Sequence, residues 1–219
     1  MNPSALLIQS MPVLLTGALL TIKFALLSMV FGLAAALVLA LMGISTHRWV
    51  VWIARVYVSI MRGTPLLVQI FVIYYGLPSL GIALDPTPAG VLALSANVAA
   101  YMSESMRGAI VGIAQGQWLA SYSLGLTRMQ TLRFVVGPQA LRLAVPSLSN
   151  SLISLIKDTS LVSVITVTEL LRSAQEVIAA TYQPLPLYLA AGAIYWVLCI
   201  ALEGVQRVFE RRLSLPTRH

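Results

Sequence analysis

Residues 150–165 read NSLISLIKDTSLVSVI, an apolar run with Lys157 and Asp158 side by side in its middle. Helix neighbours diverge by about 100°, so these opposite charges address different partners; for the lysine the choices are Glu104 or a backbone carbonyl. With Thr159 and Ser160 the pair makes a polar patch that either lines a solute path or belongs to a structural network between helices. A second set is Glu104 and Arg107, in NVAAYMSESMR at 97–107. Their spacing of three puts both on one helix face, either as a self-contained ion pair or, with Tyr101, along a pathway. A third is RGTPLLVQ, residues 62–69. Thr64 before Pro65 reads as an N-cap and first helical residue, and Gly63 permits a break just ahead, although a simple kink would leave the same trace. Gln69, one turn further in, is a candidate solute contact.

These sets make no enzyme. The chain has two histidines, His47 and His219, and one cysteine, Cys199, so neither a metal-ligand cluster nor a nucleophile–His arrangement can be assembled. No G-x-x-x-x-G-K-[ST] phosphate loop occurs.

The elements that must carry such residues follow from composition. Of 219 residues, 58% are hydrophobic and 10% charged, where a soluble domain carries about 25% charged. With a mean hydropathy of +0.88, the bilayer is the better solvent. Charges inside a span are costly there and mark a pathway or a pair. The net charge of +7 has no basic stripe with interleaved aromatics, so it does not indicate nucleic-acid binding. The first basic residue is Lys23, so the start lacks the charged region of a cleaved signal peptide and the first apolar segment is expected to be retained.

Crossing the bilayer takes about 20 mostly apolar residues, and five segments qualify: 17–42, 56–77, 90–113, 144–167 and 187–208. Lipid leaves no open backbone groups, so the expected fold is all-α and integral to the membrane, one domain over 1–219. The first loop carries His47, Arg48 and Arg55, the third carries Arg128, Arg133 and Arg142, and the tail carries Arg211, Arg212 and Arg218. Positive loops face the cytoplasm, which puts the N-terminus outside and the C-terminus inside. On this reading Lys157 lies roughly 20 Å along its span at 1.5 Å per residue. Small residues recur every fourth position at Gly32, Ala36 and Ala40, and at Gly108, Gly112 and Gly116, a spacing that lets helices approach closely.

The loop at about 114–143 reads as a short helix, a turn at Gly125, and a second helix ending at Pro138. A loop of this length with its own structure does a job, either lying on the membrane surface or docking a partner.

Four stretches together carry a resemblance: VSIMRGTPLLVQIFVIYYGLP at 58–78, AAYMSESMRGAI at 99–110, GQWLASYSLGLTRMQTLRFVVGPQALR at 116–142, and SLIKDTSLVSVI at 154–165. Over nearly its whole length the chain resembles the inner-membrane permease subunits of ABC importers for polar amino acids. IYYGLP followed by GIALDPTP is most similar to cystine-type permeases. The resemblance implies a bacterial inner-membrane protein that pairs with a second permease subunit, the same chain or a different one. It also implies an ATP-binding cassette ATPase dimer carrying ATP and Mg, and a periplasmic amino-acid-binding protein. The chain itself would bind no cofactor and no metal. Residues Leu119, Ala120, Ser121, Gly125, Arg128 and Pro138 would fall in the segment that couples to the ATPase. The family's Glu-Ala-Ala stands here as Leu119-Ala120-Ser121, so a contact made by that glutamate is missing. The alternative, an ion-coupled secondary amino acid transporter using the buried charges as a relay, lacks the internal inverted repeat of such proteins.

Overall fold

A computed structural model describes residues 3–213; Arg218 and His219 lie outside them, as do the side chains of Arg211 and Arg212. Among the described residues there is no strand. Helix α1 runs Pro3–Gly43, α2 Arg48–Gly63, and α3 Leu66–Phe71. A π-turn (Val72–Gly76) and a 3-10 turn (Leu77–Leu80) extend α3. Then come α4 Pro86–Val111, α5 Gln115–Ser123, α6 Arg128–Thr131, a second π-turn Leu132–Val136, and α7 Gly137–Asp158. A 3-10 segment Thr159–Ile165 leads to α8 Leu170–Thr181 and α9 Pro184–Leu213.

Two helical stretches, Ala5–Gly43 and Pro184–Val208, are long and apolar enough to cross a membrane unaided. Two broken pairs raise the number to four if each is one span: Arg48–Gly63 with Leu66–Leu80, bent by 107°, and Arg128–Ile165 with Leu170–Thr181, bent by 46°. Helix α4 has the length, at 26 residues, but Ser95, Asn97, Ser103, Glu104 and Arg107 dilute its apolarity. Its position explains that composition. It is the central helix, with most of one turn after another buried against its neighbours.

The second span divides, and three expected positions change. Residues 56–77 are two helical pieces rather than one kinked helix, because the chain turns sharply at Thr64–Pro65, where neither residue is helical. The N-cap of α3 is Pro65 rather than Thr64. The span expected at 144–167 begins earlier, at Gly137, and gives way to 3-10 geometry at Thr159. Pro138 does not end a helix but starts α7, since a π-turn carries the chain through it.

The main core packs Phe24, Ala25 and Ala36 of α1 against Leu94, Val98 and Met102 of α4 and Leu155 and Ile156 of α7. The Gly32 stripe is spent here. A Cβ on Gly32 would meet Val98 Cγ1 at 2.4 Å and Ser95 O at 3.3 Å, so only glycine lets α1 and α4 approach this closely. Nothing lies within 4 Å of such a Cβ at Gly108 or Gly116, and at Gly112 it would meet only its own helix, so among the described residues no other helix packs against that second stripe. A smaller core of Leu14, Ala18, Leu170, Ala174 and Ala191 joins α1, α8 and α9. A third, Ile110, Ile113, Val136 and Ala140, seats the 114–143 segment against the end of α4.

Candidate functional site

A cavity of about 800 Å³ opens between the α2–α3 break, α4 and α7. Its wall brings together Thr64, Pro65, Tyr101, Glu104 and Asp158, and adds Arg62, Asn97, Ser105, Ser147, Asn150, Ser151 and Ser154. The α7 contribution is a polar stripe: residues 147, 151, 154 and 158 recur at helical spacing on one face. Hydroxyl, amide and carboxylate groups over three turns are unsuited to lipid contact. They suit water, a polar solute or another protein surface.

The break is held by side-chain amides. Gln69 Nε2 donates to Met61 O and to Thr64 Oγ1, both at 2.9 Å. Asn97 Nδ2 donates to Gln69 Oε1 at 2.9 Å and to Met61 O at 3.2 Å. Thr64 Oγ1 in turn donates to Ile60 O at 2.8 Å. Backbone carbonyls at the end of α2 have lost their helical partners at the break, and these amides replace them. Gln69 and Asn97 are only 8% and 9% exposed. Gln69 therefore stands behind the cavity wall, with its amide committed to the bend.

Glu104 forms a two-pronged pair with Arg107, Oε1 to Nε and Oε2 to Nη2, each at 2.8 Å. This corrects the option of a Glu104–Lys157 pair, since the nearer guanidinium occupies both carboxylate oxygens. The Arg62 guanidinium lies 5.4 Å from the centre of the Tyr101 ring, a cation–π arrangement that aims a positive group at the cavity. Asp158 is half-buried at its far end. Lys157 points away to an exposed face, Thr159 is buried and donates to Ile156 O at 2.7 Å, and Ser160 donates to Lys157 O at 2.7 Å.

One group was missed from sequence. Glu169, in the loop before α8, is 0% exposed. It caps α8 by accepting from Arg172 N at 2.8 Å. It also accepts from Thr21 Oγ1 of α1 at 3.4 Å and from the Tyr195 hydroxyl of α9. The cap itself was legible in the spacing of Glu169 before an apolar helix; its burial depends on two distant helices.

The 114–143 segment presents the other candidate surface. Helix α5 ends in a Schellman motif, Leu126 N to Ser121 O at 3.1 Å and Gly125 N to Tyr122 O at 3.0 Å, with Gly125 at φ +78°. That left-handed residue is a glycine for steric reasons. Thr127 and Gln130 then form a capping box for α6. Leu119 (64%), Leu124 (81%) and Met129 (70%) stand exposed around the turn, with Ala120 beside them. Ser121 is buried, its hydroxyl donating to Gln117 O at 2.7 Å. Arg128 Nη2 donates to Ile44 O, which ties the segment to the α1–α2 elbow. At Gly137, the N–H donates back five residues to Leu132 O, the π-turn bond. A Cβ there would sit 2.5 Å from that same oxygen.

Comparison with known proteins puts these features in a common frame. The family described as "binding-protein-dependent transport system inner membrane component" matches residues 28–215. The L-cystine transport system permease protein TcyB of Bacillus subtilis (strain 168) is 49% identical over 204 residues, 93% of this chain and 87% of that protein. The arginine transport system permease protein ArtQ of the same organism is 40% identical over 208 residues, 94% of this chain and 95% of that one. Among solved structures, the crystal structure of an amino acid ABC transporter with histidines superposes with a TM-score of 0.89 at 35% identity, covering 94% of this chain and 96% of that chain.

Proposed function

The chain belongs to the family of binding-protein-dependent transport system inner membrane components, and we propose that it is the permease subunit of an ATP-driven importer whose solute is cystine. The observation that carries the solute class is the likeness to TcyB across 93% of the chain. The cavity chemistry agrees with it. An amino acid presents an ammonium and a carboxylate, and cystine presents two of each. Arg62 offers the cavity a cation and Asp158 a carboxylate, Glu104 being held by Arg107, and Asn150, Ser151 and Ser154 offer hydrogen bonds between them. Tyr101 braces Arg62, while Gln69 and Asn97 hold the broken helix in place as positioning residues.

The chain is a single permease domain of the bacterial inner membrane, with the N-terminus outside and the C-terminus inside. It crosses five times, α4 being the span that hydropathy understates because protein surrounds it. The polar stripe of α7 faces a second permease subunit, the solute passes between the two, and Lys157, on another face of α7, meets that subunit outside the solute path. A periplasmic binding protein delivers it. Residues 114–143 meet the ATPase, where ATP and Mg reside. Leu119, Ala120, Leu124 and the Gly125 turn form the knob that enters it, apolar where the family has a glutamate. Alternation between outward and inward states of the pair, biased by the ATPase, moves the solute. An ion-coupled relay fits less well, because Glu104 is held by Arg107 at 2.8 Å.

The test is uptake of radiolabelled cystine into proteoliposomes containing this chain, its ATPase and its binding protein. Uptake is expected to require ATP inside and binding protein outside. Uptake driven by a proton gradient without ATP would overturn the reading, and ATP-driven uptake of another amino acid with no cystine uptake would overturn the solute.

A further inference from the structure

A second cavity, of about 500 Å³, lies behind the 114–143 segment. Leu37 and Leu41 of α1 and Ile110 of α4 form one wall, and Leu132, Pro138 and Leu141 form the other. Its only charged lining residue is Arg133. No acidic residue occurs between Gly112 and Lys157, a stretch that holds Arg128, Arg133 and Arg142. Arg133 itself is exposed, stacked at 5.4 Å on the Phe134 ring, and has no carboxylate partner among the described residues.

We propose that this cavity holds an acyl chain of an anionic phospholipid of the cytoplasmic leaflet, with the lipid phosphate on Arg133. The inference rests on the membrane placement given above. Its own support is independent: an apolar slot that continues from the lipid-facing side of α1 (Leu37 and Leu41 are both exposed), with one guanidinium at its rim and no competing acid. A guanidinium binds phosphate in a two-pronged fashion. The slot is bounded on one side by the π-turn and Pro138, so the lipid lies between the α1–α4 body and the element that meets the ATPase. It fills the space that this element would otherwise collapse into.

The test uses the full chain with its ATPase in phosphatidylcholine nanodiscs. A trace of phosphatidylglycerol or of phosphatidylcholine, carrying a diazirine at the end of one acyl chain, is photolysed and the labelled peptides are mapped. Phosphatidylglycerol is expected to label residues 37–41 and 132–144 about fivefold more than phosphatidylcholine does, the discrimination one basic residue gives beside an anionic group. Arg133→Gln should bring the two lipids level. Leu141→Trp, which fills the slot from an exposed position, should reduce both labels there and leave labelling of α9 unchanged. Equal labelling by both lipids in the unmodified protein, labelling no denser than on α9, or an unaltered preference in Arg133→Gln would each overturn the proposal. Co-purification of each variant with the ATPase verifies folding. Labelling is read without transport, so a failure of ATP-driven uptake with the label intact would count against the transport reading alone.

Discussion

Asn97 of the central helix α4 donates a 2.9 Å hydrogen bond to Gln69 of the short helix α3, and through Gln69 it reaches both sides of the α2–α3 break. The bend of 107° is thus not a slack joint. It is stapled to the element that contributes Tyr101 and Glu104 to the cavity.

Removing the staple tests this. Asn97→Ala leaves the buried Gln69 oxygen without its donor, at a cost of about 1–3 kcal/mol. A lower thermal midpoint of the purified complex and a reduced maximal uptake rate are expected together. An unchanged midpoint would mean that the amides merely decorate the bend.

Between α1, α8 and α9, Tyr195→Phe strips one donor from the fully buried Glu169. The carboxylate keeps Arg172 N and Thr21 Oγ1, so the loss should be about 1–3 kcal/mol. Glu169→Ala, which also removes the α8 cap, should cost more and lower the yield of folded protein. Thermal unfolding of both variants in the same detergent decides the order.

Gly137→Ala forces a methyl group to within 2.5 Å of Leu132 O. The π-turn must open or shift, a strain of about 1–3 kcal/mol by analogy with overpacked interiors. ATPase stimulation by the loaded binding protein is expected to fall while the permease still co-purifies with its ATPase. Gly125→Arg should give the same separation, since its left-handed φ costs an L-residue about 1–2 kcal/mol and a bulky charge is added to the exposed turn. Full stimulation in both variants would remove the 114–143 segment from the coupling path.

If the cavity between the α2–α3 break, α4 and α7 takes the solute as proposed, Asp158→Asn should raise the KM for uptake roughly tenfold, equivalent to about 1.4 kcal/mol, with normal expression. Lys157→Gln, on the other face, should instead weaken pairing with the second permease, read by cross-linking between subunits. A KM unchanged by Asp158→Asn would reduce that carboxylate to a packing role.

Local chemistry was readable from sequence where the relevant partners lie within one or two turns. Glycine and proline at 63–65 mark the break, the i, i+3 spacing marks the Glu104–Arg107 pair, and Gly125 marks the left-handed turn. What stayed hidden depends on distance along the chain. Glu169 meets Tyr195 and Thr21 at separations of 26 and 148 residues, so its burial has no local signature. Gly137-Pro138 reads as a helix stop, but a π-turn lets the chain continue because the proline's missing N–H falls where the hydrogen-bond ladder is already displaced. The two glycine stripes look alike in sequence. Only Gly32 has a helix close against it, and only tertiary packing could make that distinction. The same holds for α4, whose hydropathy is lowered by Ser95, Asn97 and Ser103 buried against neighbouring helices and by Glu104 on the cavity wall.

The ion pair of Glu104 with Arg107 has an electrical consequence. With those two charges cancelled, Arg62 and Asp158 leave the cavity wall with one formal charge of each sign, a sum of zero. A zwitterion such as cystine adds none. Moving one elementary charge through a field of 100 mV is worth about 2.3 kcal/mol, and here no net charge moves. Translocation is therefore expected to be insensitive to voltage, so that a valinomycin-imposed potassium potential of either sign leaves the initial rate of ATP-driven uptake unchanged.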